Sequence, residues 1–194
     1  MIVLKPDFKK ALKKEFYIRD AETVARELIG KVLVKKLDTG DILAGMITET
    51  EAYLANNDLA SHSATGKSQR NAPMFEDGGI VYVYKIYGIH HCLNIVTGTE
   101  GKGSAVLIRA IVPLLGIEKM KIFRKTNDIN KLCNGPGNAA NAFAFSREDN
   151  FRDLFHQGLF VQEYYNPKPK EIIKTKRIGI TKSADLELRY CLKI

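Results

Sequence analysis

Cysteine is scarce in this chain, which has three in 194 residues. Cys92, Cys133 and Cys191 are far apart and odd in number, so they predict no disulfide framework. No spacing of Cys, His, Asp or Glu resembles a zinc site, and no metal is expected. These absences exclude a small scaffold held by disulfides or zinc. We expect reduced thiols and a cytoplasmic location, associated with the nucleoid if the source is bacterial.

Long hydrophobic runs are also missing. The longest, residues 105–117, is interrupted by Arg109 and Pro113, whereas a membrane span needs about 20 apolar residues in a row. The lysine-rich residues 1–14 lack the apolar core of a signal peptide, so we expect neither membrane association nor export. No repeat, low-complexity segment or linker divides the chain, and residues 1–194 are expected to form a single domain.

Positive charge is in excess, and its distribution is uneven. The net charge is +8. Residues 1–37 hold ten basic and five acidic side chains, residues 168–194 hold eight and three, and residues 38–118 hold five and nine. Basic segments therefore flank a slightly acidic middle. Surplus Lys and Arg neutralise phosphates, so nucleic acid is one interpretation. A solvated basic surface is the other, and charge alone leaves both open.

The order of predicted elements favours an α+β fold. Asp20 is predicted to cap a helix over residues 21–28 that Gly30 closes, and further helices are predicted over 115–124 and 136–145. Strands are predicted over 31–37, 42–53, 80–86, 90–96, 105–111 (stopped by Pro113), 160–163, 177–181 and 186–193. A three-residue tip joins the third and fourth strands, which predicts a hairpin. Because strands cluster rather than alternate with helices, we expect a largely antiparallel sheet.

The strand over 42–53 carries the most unusual polar residues. Alternation places Glu49, Glu51 and Tyr53 on one face. Arg109 lies in an apolar strand, where an unpaired guanidinium is unfavourable, so we predict that a glutamate of the strand over 42–53 pairs with it. Whether that pair is structural or belongs to a site stays open, and the glutamates could also be surface charges.

Residues 56–75 form a long irregular stretch, and such loops are usually functional. His62 lies within it, although a loop histidine is often merely exposed. At the hairpin tip, Tyr87 and Ile89 could wedge between bases or fold back on the core. The segment Asn134–Gly137 lacks the Lys-Ser/Thr ending of a Walker phosphate loop. The chemistry available is therefore carboxylate, arginine and stacking aromatics.

Several motifs together resemble one family. They are Glu-Thr-Glu-Ala-Tyr (49–53), Ala-Ser-His-Ser (60–63), Arg70-Asn71, Met74-Phe75, Val-Tyr-Val-Tyr-Lys-Ile-Tyr-Gly (81–88), Cys-Leu-Asn-Ile (92–95), Ala-Val-Leu-Ile-Arg-Ala (105–110), Leu-Cys-Asn-Gly-Pro-Gly (132–137) and Arg-Ile-Gly-Ile (177–180). From about residue 15 to 181 the chain resembles the single-domain alkyladenine (3-methyladenine) DNA glycosylases. The resemblance implies a single α+β domain with a curved, largely antiparallel sheet, surrounding helices and a protruding hairpin.

The resemblance also implies a reaction and its residues. Such an enzyme flips a damaged purine out of the duplex, because the glycosidic bond is not reachable in the stack. By resemblance, Glu51 activates the attacking water and Arg109 helps to position it. The residues implied to bind the base are Tyr53, His62, Tyr84, Asn94 and Ala60. Those implied to contact DNA are Tyr87, Ile89, Arg70 and Met74, with Tyr87 filling the gap.

The implied partner is double-stranded DNA that contains damaged purines, with no cofactor and a monomeric enzyme. Two other interpretations remain. A non-catalytic nucleic-acid-binding module would need the basic flanks but not Glu51 or Arg109. A small-molecule hydrolase could use the pair Glu49 and Glu51, but it would leave the basic flanks and Tyr87 unexplained.

Overall fold

Nine strands and five α-helices lie within residues 4–86 and 88–193, the part of the chain that the computed structural model describes. The helices are α1 (Lys14–Tyr17), α2 (Ala21–Leu28), α3 (Ile117–Arg124), α4 (Ile129–Leu132) and α5 (Pro136–Ala142). The strands are β1 (Val32–Lys36), β2 (Ile42–Tyr53), β3 (Val81–Ile86), β4 (His90–Thr97), β5 (Ser104–Leu115), β6 (Phe155–His156), β7 (Leu159–Gln162), β8 (Ile172–Thr175) and β9 (Arg189–Leu192). Short 3-10 helices occur at Phe8–Lys10, Ala72–Phe75, Arg147–Asp149 and Pro169–Glu171.

The strands form one sheet in which every pairing is antiparallel. Its order is β3-β4-β5-β2-β1-β7-β6, and β9 pairs with both β2 and β8. The first half of β2 pairs with β1, whereas Glu49, Thr50 and Glu51 pair with β9. The sheet therefore divides along β2 and curls into a half-barrel. This architecture confirms the predicted α+β class.

Helix α2 forms where the sequence predicts it. The Asp20 carboxylate accepts a hydrogen bond from the Thr23 N–H at 2.8 Å and so caps the first turn. The residues Ala21, Val24, Ala25 and Leu28 form its buried face. Gly30 then turns the chain into β1 with a φ of +87°, at a point where the Tyr165 carbonyl leaves no room for a side chain.

Strand alternation separates the core from the site along β2. Thr50 and Ala52 are fully buried on the side of α2, where the Thr50 hydroxyl donates to the Ala25 carbonyl at 2.8 Å. Ala52 belongs to the main hydrophobic core. Glu49, Glu51 and Tyr53 face the other way, because successive side chains of a strand point to opposite faces.

One predicted strand end is wrong. The strand predicted to stop before Pro113 continues to Leu115. Strand β4 pairs with residues 104–107 of β5, so Pro113 lies beyond that ladder, opposite Gly45 at an irregularity in the pairing with β2. A proline is tolerated at such an edge or bulge because its missing N–H interrupts no regular ladder there.

The strand predicted over residues 177–181 is also wrong. The paired strand is β8, which ends at Thr175, and the chain then leaves the sheet. The Arg177 side chain turns inward to a buried carboxylate instead of continuing the ladder. Two predicted helices are shorter than expected: α3 begins only after β5 ends at Leu115, and α5 ends before Ala144, whose φ is +51°.

The predicted hairpin is confirmed, since β3 and β4 pair along their length at one edge of the sheet. Ile89 lies at its tip and is 71% exposed. Tyr87, the predicted wedge, lies outside the described residues. Across residues 4–86 and 88–193, helices are all too short or too polar to cross a membrane.

Candidate active site

Cross-strand pairing brings the predicted site residues together. Five strands place one residue each in a row across the sheet, namely Tyr82, Asn94, Leu107, Glu51 and Arg189, each opposite the next. Tyr53 pairs with Ala105 one step along, and Tyr84 pairs with Cys92 on the other side. Residues opposite each other in a ladder share a face. Segments that are distant in sequence therefore form one continuous surface.

Glu51 is fully buried yet well supplied with hydrogen-bond donors. Its Oε1 accepts the Ile178 N–H at 2.9 Å, and its Oε2 accepts the Tyr53 hydroxyl at 3.0 Å. Arg109 Nη1 lies 3.3 Å from the same Oε2. Burying a charge without such partners is strongly unfavourable. The donors around Glu51 therefore hold a carboxylate in a fixed orientation.

Arg109 has the carboxylate partner that the sequence predicts, and it has two. Its Nε donates to Glu49 Oε1 at 2.9 Å while Nη1 contacts Glu51. Burial alone would lower the pKa of Arg109, but the nearby charges of Glu51 and Glu49 outweigh it, and the pKa is raised. Glu49 Oε1 also accepts from Arg189 Nη1 at 2.9 Å. Glu49 thus joins two arginines, and Arg109 links it to Glu51.

Two β-bulges accompany this ion-pair group. The pairing of β2 with β5 shifts between Ile47 and Glu49 and again between Glu49 and Thr50, where Arg109 is the extra residue on β5. A bulge bends a strand locally and re-aims the side chain of the unpaired residue. Here the bulge at Arg109 lets its guanidinium reach both Glu49 and Glu51 on β2.

A small aromatic pocket opens next to Glu51. Its lining residues are Tyr53, His62, Met74, Tyr82, Tyr84, Asn94 and Ala105. The ring centroids of His62 and Tyr84 are only 4.5 Å apart, at an interplanar angle of 70°. The cavity volume is about 20 Å³, which is room for about one water molecule. A purine does not fit in a cavity of this volume, so the lining side chains must move apart to admit one.

Hydrogen bonds hold the pocket walls. His62 Nδ1 lies 2.9 Å from the Tyr82 hydroxyl. Partial burial, together with the positive charge of Arg70, lowers the pKa of His62. Asn94 is buried, and its Nδ2 donates to the carbonyls of Tyr82 and Cys92 at 3.1 and 3.3 Å, which fixes the plane of its amide.

The pocket tyrosines remain protonated at neutral pH. Burial raises the pKa of Tyr82 to about 12. Burial also raises the pKa of Tyr84, and in Tyr53 the nearby Glu51 adds to the effect. The Tyr53 hydroxyl can therefore donate to Glu51 throughout the neutral range.

The residues predicted to contact DNA lie in different environments. Arg70 is exposed and close to the hairpin, with Nη2 3.5 Å from the Lys85 carbonyl. Met74 is buried and forms part of the pocket wall. Ala60 is half-buried in the loop, where its N–H donates to Asp58 Oδ1 at 3.1 Å.

Sequence reasoning missed four contributors, namely Asp58, Arg177, Ile178 and Arg189. Arg177 and Ile178 lie in a motif that carries the family resemblance, but they had no assigned role. Arg189 reaches Glu49 through the pairing of β9 with β2, and no local pattern indicates that pairing. In the ranges that the structure describes, no group of three or more His, Cys, Asp or Glu side chains is placed to hold a metal ion.

A sequence profile described as methylpurine-DNA glycosylase matches residues 15–194. The chain belongs to this family. The match reaches past residue 181, where the resemblance between motifs ended. It covers both the strand that carries Glu51 and the segment that carries Ile178.

Three similar proteins bear the name "Putative 3-methyladenine DNA glycosylase". The protein of Methanoculleus marisnigri is 45% identical over 181 residues, which cover 92% of this chain and 93% of that protein. The protein of Prosthecochloris aestuarii is 44% identical, with coverage of 89% and 83%. The protein of Clostridium botulinum is 39% identical, with coverage of 94% and 95%.

Family membership confirms the class of protein predicted from the sequence. The glycosylase is an enzyme of the 3-methyladenine type, a hydrolase that acts on N-glycosyl bonds. Family membership does not by itself assign roles to residues, so those roles are argued from the geometry around Glu51.

Proposed function

We propose that this glycosylase removes alkylated or deaminated purines from double-stranded DNA by hydrolysis and leaves an abasic site. The proposed substrates are 3-methyladenine, 7-methylguanine, hypoxanthine and ethenoadenine. The observation that carries the proposal is the position of Glu51, a buried carboxylate in contact with Arg109 and directly beside an aromatic pocket. A surface module would have no need to bury this carboxylate.

In the proposed reaction, Glu51 accepts a proton from a water molecule as the water oxygen bonds to C1′ of the sugar. The C1′–N bond breaks, and its electron pair goes to the departing base. When alkylation has made the base cationic, this electron pair neutralises it. The sugar passes through an oxocarbenium-like transition state, which a buried carboxylate stabilises electrostatically. Arg109 keeps Glu51 in place and helps to position the water.

The pocket chemistry supports binding of an extruded purine. Tyr53, His62 and Tyr84 offer ring faces for stacking, and a cationic base is attracted to electron-rich rings. The pKa of His62 is lowered, so its ring is neutral at physiological pH and does not repel such a base. Asn94, whose amide plane is fixed, would oppose the exocyclic amine of undamaged guanine and so favour damaged bases.

The hairpin supports a role in base extrusion. Ile89 is apolar, lies at the tip and is 71% exposed, and apolar side chains that insert between base steps unstack them. We propose that Tyr87 fills the gap left by the flipped base, with Ile89 beside it and Arg70 near the adjacent backbone. The basic flanks would supply phosphate contacts, and one molecule would act alone.

A single-turnover assay tests the proposal. Duplexes with one hypoxanthine or one ethenoadenine, and alkylated DNA, are incubated with excess enzyme and then with alkali to cut abasic sites. We expect lesion-dependent cleavage that Glu51→Gln lowers by at least about 100-fold while DNA binding survives. Cleavage by Glu51→Gln at the wild-type rate would refute the role of Glu51. Tight binding without product from any substrate would instead identify a non-catalytic binding module.

A further inference from the structure

A buried ion pair lies close to Glu51 and has no role in the reaction proposed above. The guanidinium of Arg177 binds Asp58 through two hydrogen bonds, Nη1 to Oδ2 at 2.6 Å and Nη2 to Oδ1 at 2.7 Å. Both side chains are completely buried. They are 119 residues apart in sequence. The pair therefore joins the C-terminal segment to the loop that follows β2.

The contacts of Arg177 converge on the site. Its Nη1 also donates to the Ala52 carbonyl at 3.0 Å, between Glu51 and Tyr53 in the chain. Its guanidinium lies over the Tyr53 ring, 4.6 Å from the centroid. That guanidinium covers one face of Tyr53, so a base can stack only on the other. The next residue, Ile178, donates its N–H to Glu51 Oε1 at 2.9 Å.

Asp58 fixes the loop as well as the arginine. Its two carboxylate oxygens accept the N–H groups of Leu54 at 3.0 Å and Ala60 at 3.1 Å, in addition to Arg177. This network lowers the pKa of Asp58, although burial opposes the shift. The loop that carries His62 therefore begins from a charged, buried anchor.

Stability alone is a poor explanation for this pair. A buried ion pair often contributes no more than apolar residues of the same volume. Arg177 Nε is buried and finds no acceptor among residues 4–86 and 88–193, and a buried donor without a partner is unfavourable. The pair instead fixes the position of residues 177–178 relative to the loop that follows β2.

The two oxygens of Glu51 are not equivalent. Oε2 receives both the Tyr53 hydroxyl and Arg109, whereas Oε1 receives the Ile178 N–H. Each carboxylate oxygen has about two lone-pair positions for hydrogen bonds. Within the described residues, Oε1 therefore has one acceptor position left. Because the Glu51 side chain is fully buried, the attacking water would bind there, beside Ile178, once the site opens to admit the substrate.

We propose that Arg177 and Asp58 are positioning residues that hold the Ile178 N–H on Glu51 Oε1 and so aim the water-binding oxygen at C1′. This rests on the hydrolysis proposed above. Neither side chain touches the substrate; both act through the backbone of residues 177–178. Small displacements of a reacting group lower rates by up to about 100-fold, so the pair should affect the chemical step rather than DNA binding.

The sharpest test removes only the N–H. Replacement of Ile178 by its α-hydroxy acid turns the amide into an ester and deletes the donor to Glu51 while every side chain stays. The matched control is the same exchange at Lys193, whose N–H donates to the Glu171 carbonyl in the same C-terminal part of the chain. Arg177→Lys keeps the charge but loses the two-point contact with Asp58. For each, the single-turnover excision rate and the half-saturating enzyme concentration are measured on a hypoxanthine duplex.

We expect the Ile178 ester and Arg177→Lys each to lower the maximal rate about 10- to 100-fold with unchanged half-saturation, and the Lys193 ester to match the wild type. A wild-type rate for the Ile178 ester or for Arg177→Lys would overturn the proposal, and so would an equal loss in the Lys193 control. If Arg177→Lys fails to fold by circular dichroism, Asp58→Asn replaces it with the same expected loss, because this change removes the charge that binds Arg177 and keeps an amide oxygen in its place. Inactivity of the wild-type enzyme would instead be a failure of the proposed function.

Discussion

Glu49 fixes Arg109 in the structure: its Oε1 accepts a hydrogen bond from Arg109 Nε at 2.9 Å, and the same oxygen accepts from Arg189. The Nη1 atom of the same guanidinium lies 3.3 Å from Glu51 Oε2. Two glutamates on one strand face thus have different environments. Glu49 is partly exposed and joined to arginines, whereas Glu51 is buried beside the pocket.

This difference predicts unequal effects of the same substitution. Glu51→Gln should lower single-turnover excision about 100- to 10,000-fold, because general-base catalysis supplies that much. Glu49→Gln should lower it roughly tenfold, because it acts only by misplacing Arg109. The two are matched in chemistry and lie on the same face of β2. Equal losses in the two variants would mean that Glu49 takes part directly in the reaction.

Local pattern predicted the part of the site that lies on regular strands. Alternation along β2 places Glu49, Glu51 and Tyr53 on one face, and an arginine in an apolar strand requires a partner. Both expectations hold, since Arg109 contacts Glu49 and Glu51. The cap at Asp20 is equally local, and the structure confirms it.

The remainder of the site depends on contacts that no local pattern encodes. Arg177 meets Asp58 across 119 residues, and the inward turn of Arg177 ends what looked like a strand. The course of β5 through Pro113 depends on its place beyond the ladder with β4. The small volume of the pocket depends on how its lining side chains pack, with the His62 and Tyr84 rings 4.5 Å apart.

Removal of Arg109 should destabilise the fold as well as the reaction. Its side chain is 12% exposed and that of Glu51 is 0% exposed, so Arg109→Met leaves a buried carboxylate without its cation. Loss of one partner from a buried pair lowers the free energy of unfolding by about 3–5 kcal/mol. Urea denaturation measures the change.

The control is the exposed pair between Lys14 and Asp77. Lys14→Met should change stability far less than Arg109→Met. The double variant Glu49→Gln with Arg109→Met should lose less than the sum of its single variants, because the two share one ion-pair group. Additive losses would show that Glu49 and Arg109 contribute independently.

The protonation of His62 should depend on Arg70. Burial and the charge of Arg70 lower the pKa of His62 below its usual 6.5. A folded-state pKa below the unfolded one means that His62 contributes stability above pH 6.5, which is lost as the pH falls through the folded-state value. Arg70→Ala removes one cause, so the pKa should rise toward 6.5 without reaching it.

NMR titration of the His62 ring measures this shift directly, with the ring of His91 as an internal reference. The pKa of His91 is also lowered, but by burial and by the charges of Lys85 and Arg147, so the His91 titration should not change in Arg70→Ala. An unchanged titration of His62 in that variant would show that burial alone sets its pKa.

The hairpin tip should matter for duplex DNA and little for single strands. Ile89 is 71% exposed, so Ile89→Ala should change the stability of the free protein by no more than about 0.5 kcal/mol. In a duplex, an apolar wedge offsets the unfavourable unstacking of a flipped base, whereas a single strand requires less unstacking. Ile89→Ala and Tyr87→Ala should therefore lower the excision rate more on a hypoxanthine duplex than on the same strand alone. The matched control is Ile173→Ala, an exposed isoleucine on β8, which should leave the duplex to single-strand ratio unchanged. An equal fall on both substrates would exclude wedging and place the tip residues in base binding or general DNA affinity instead.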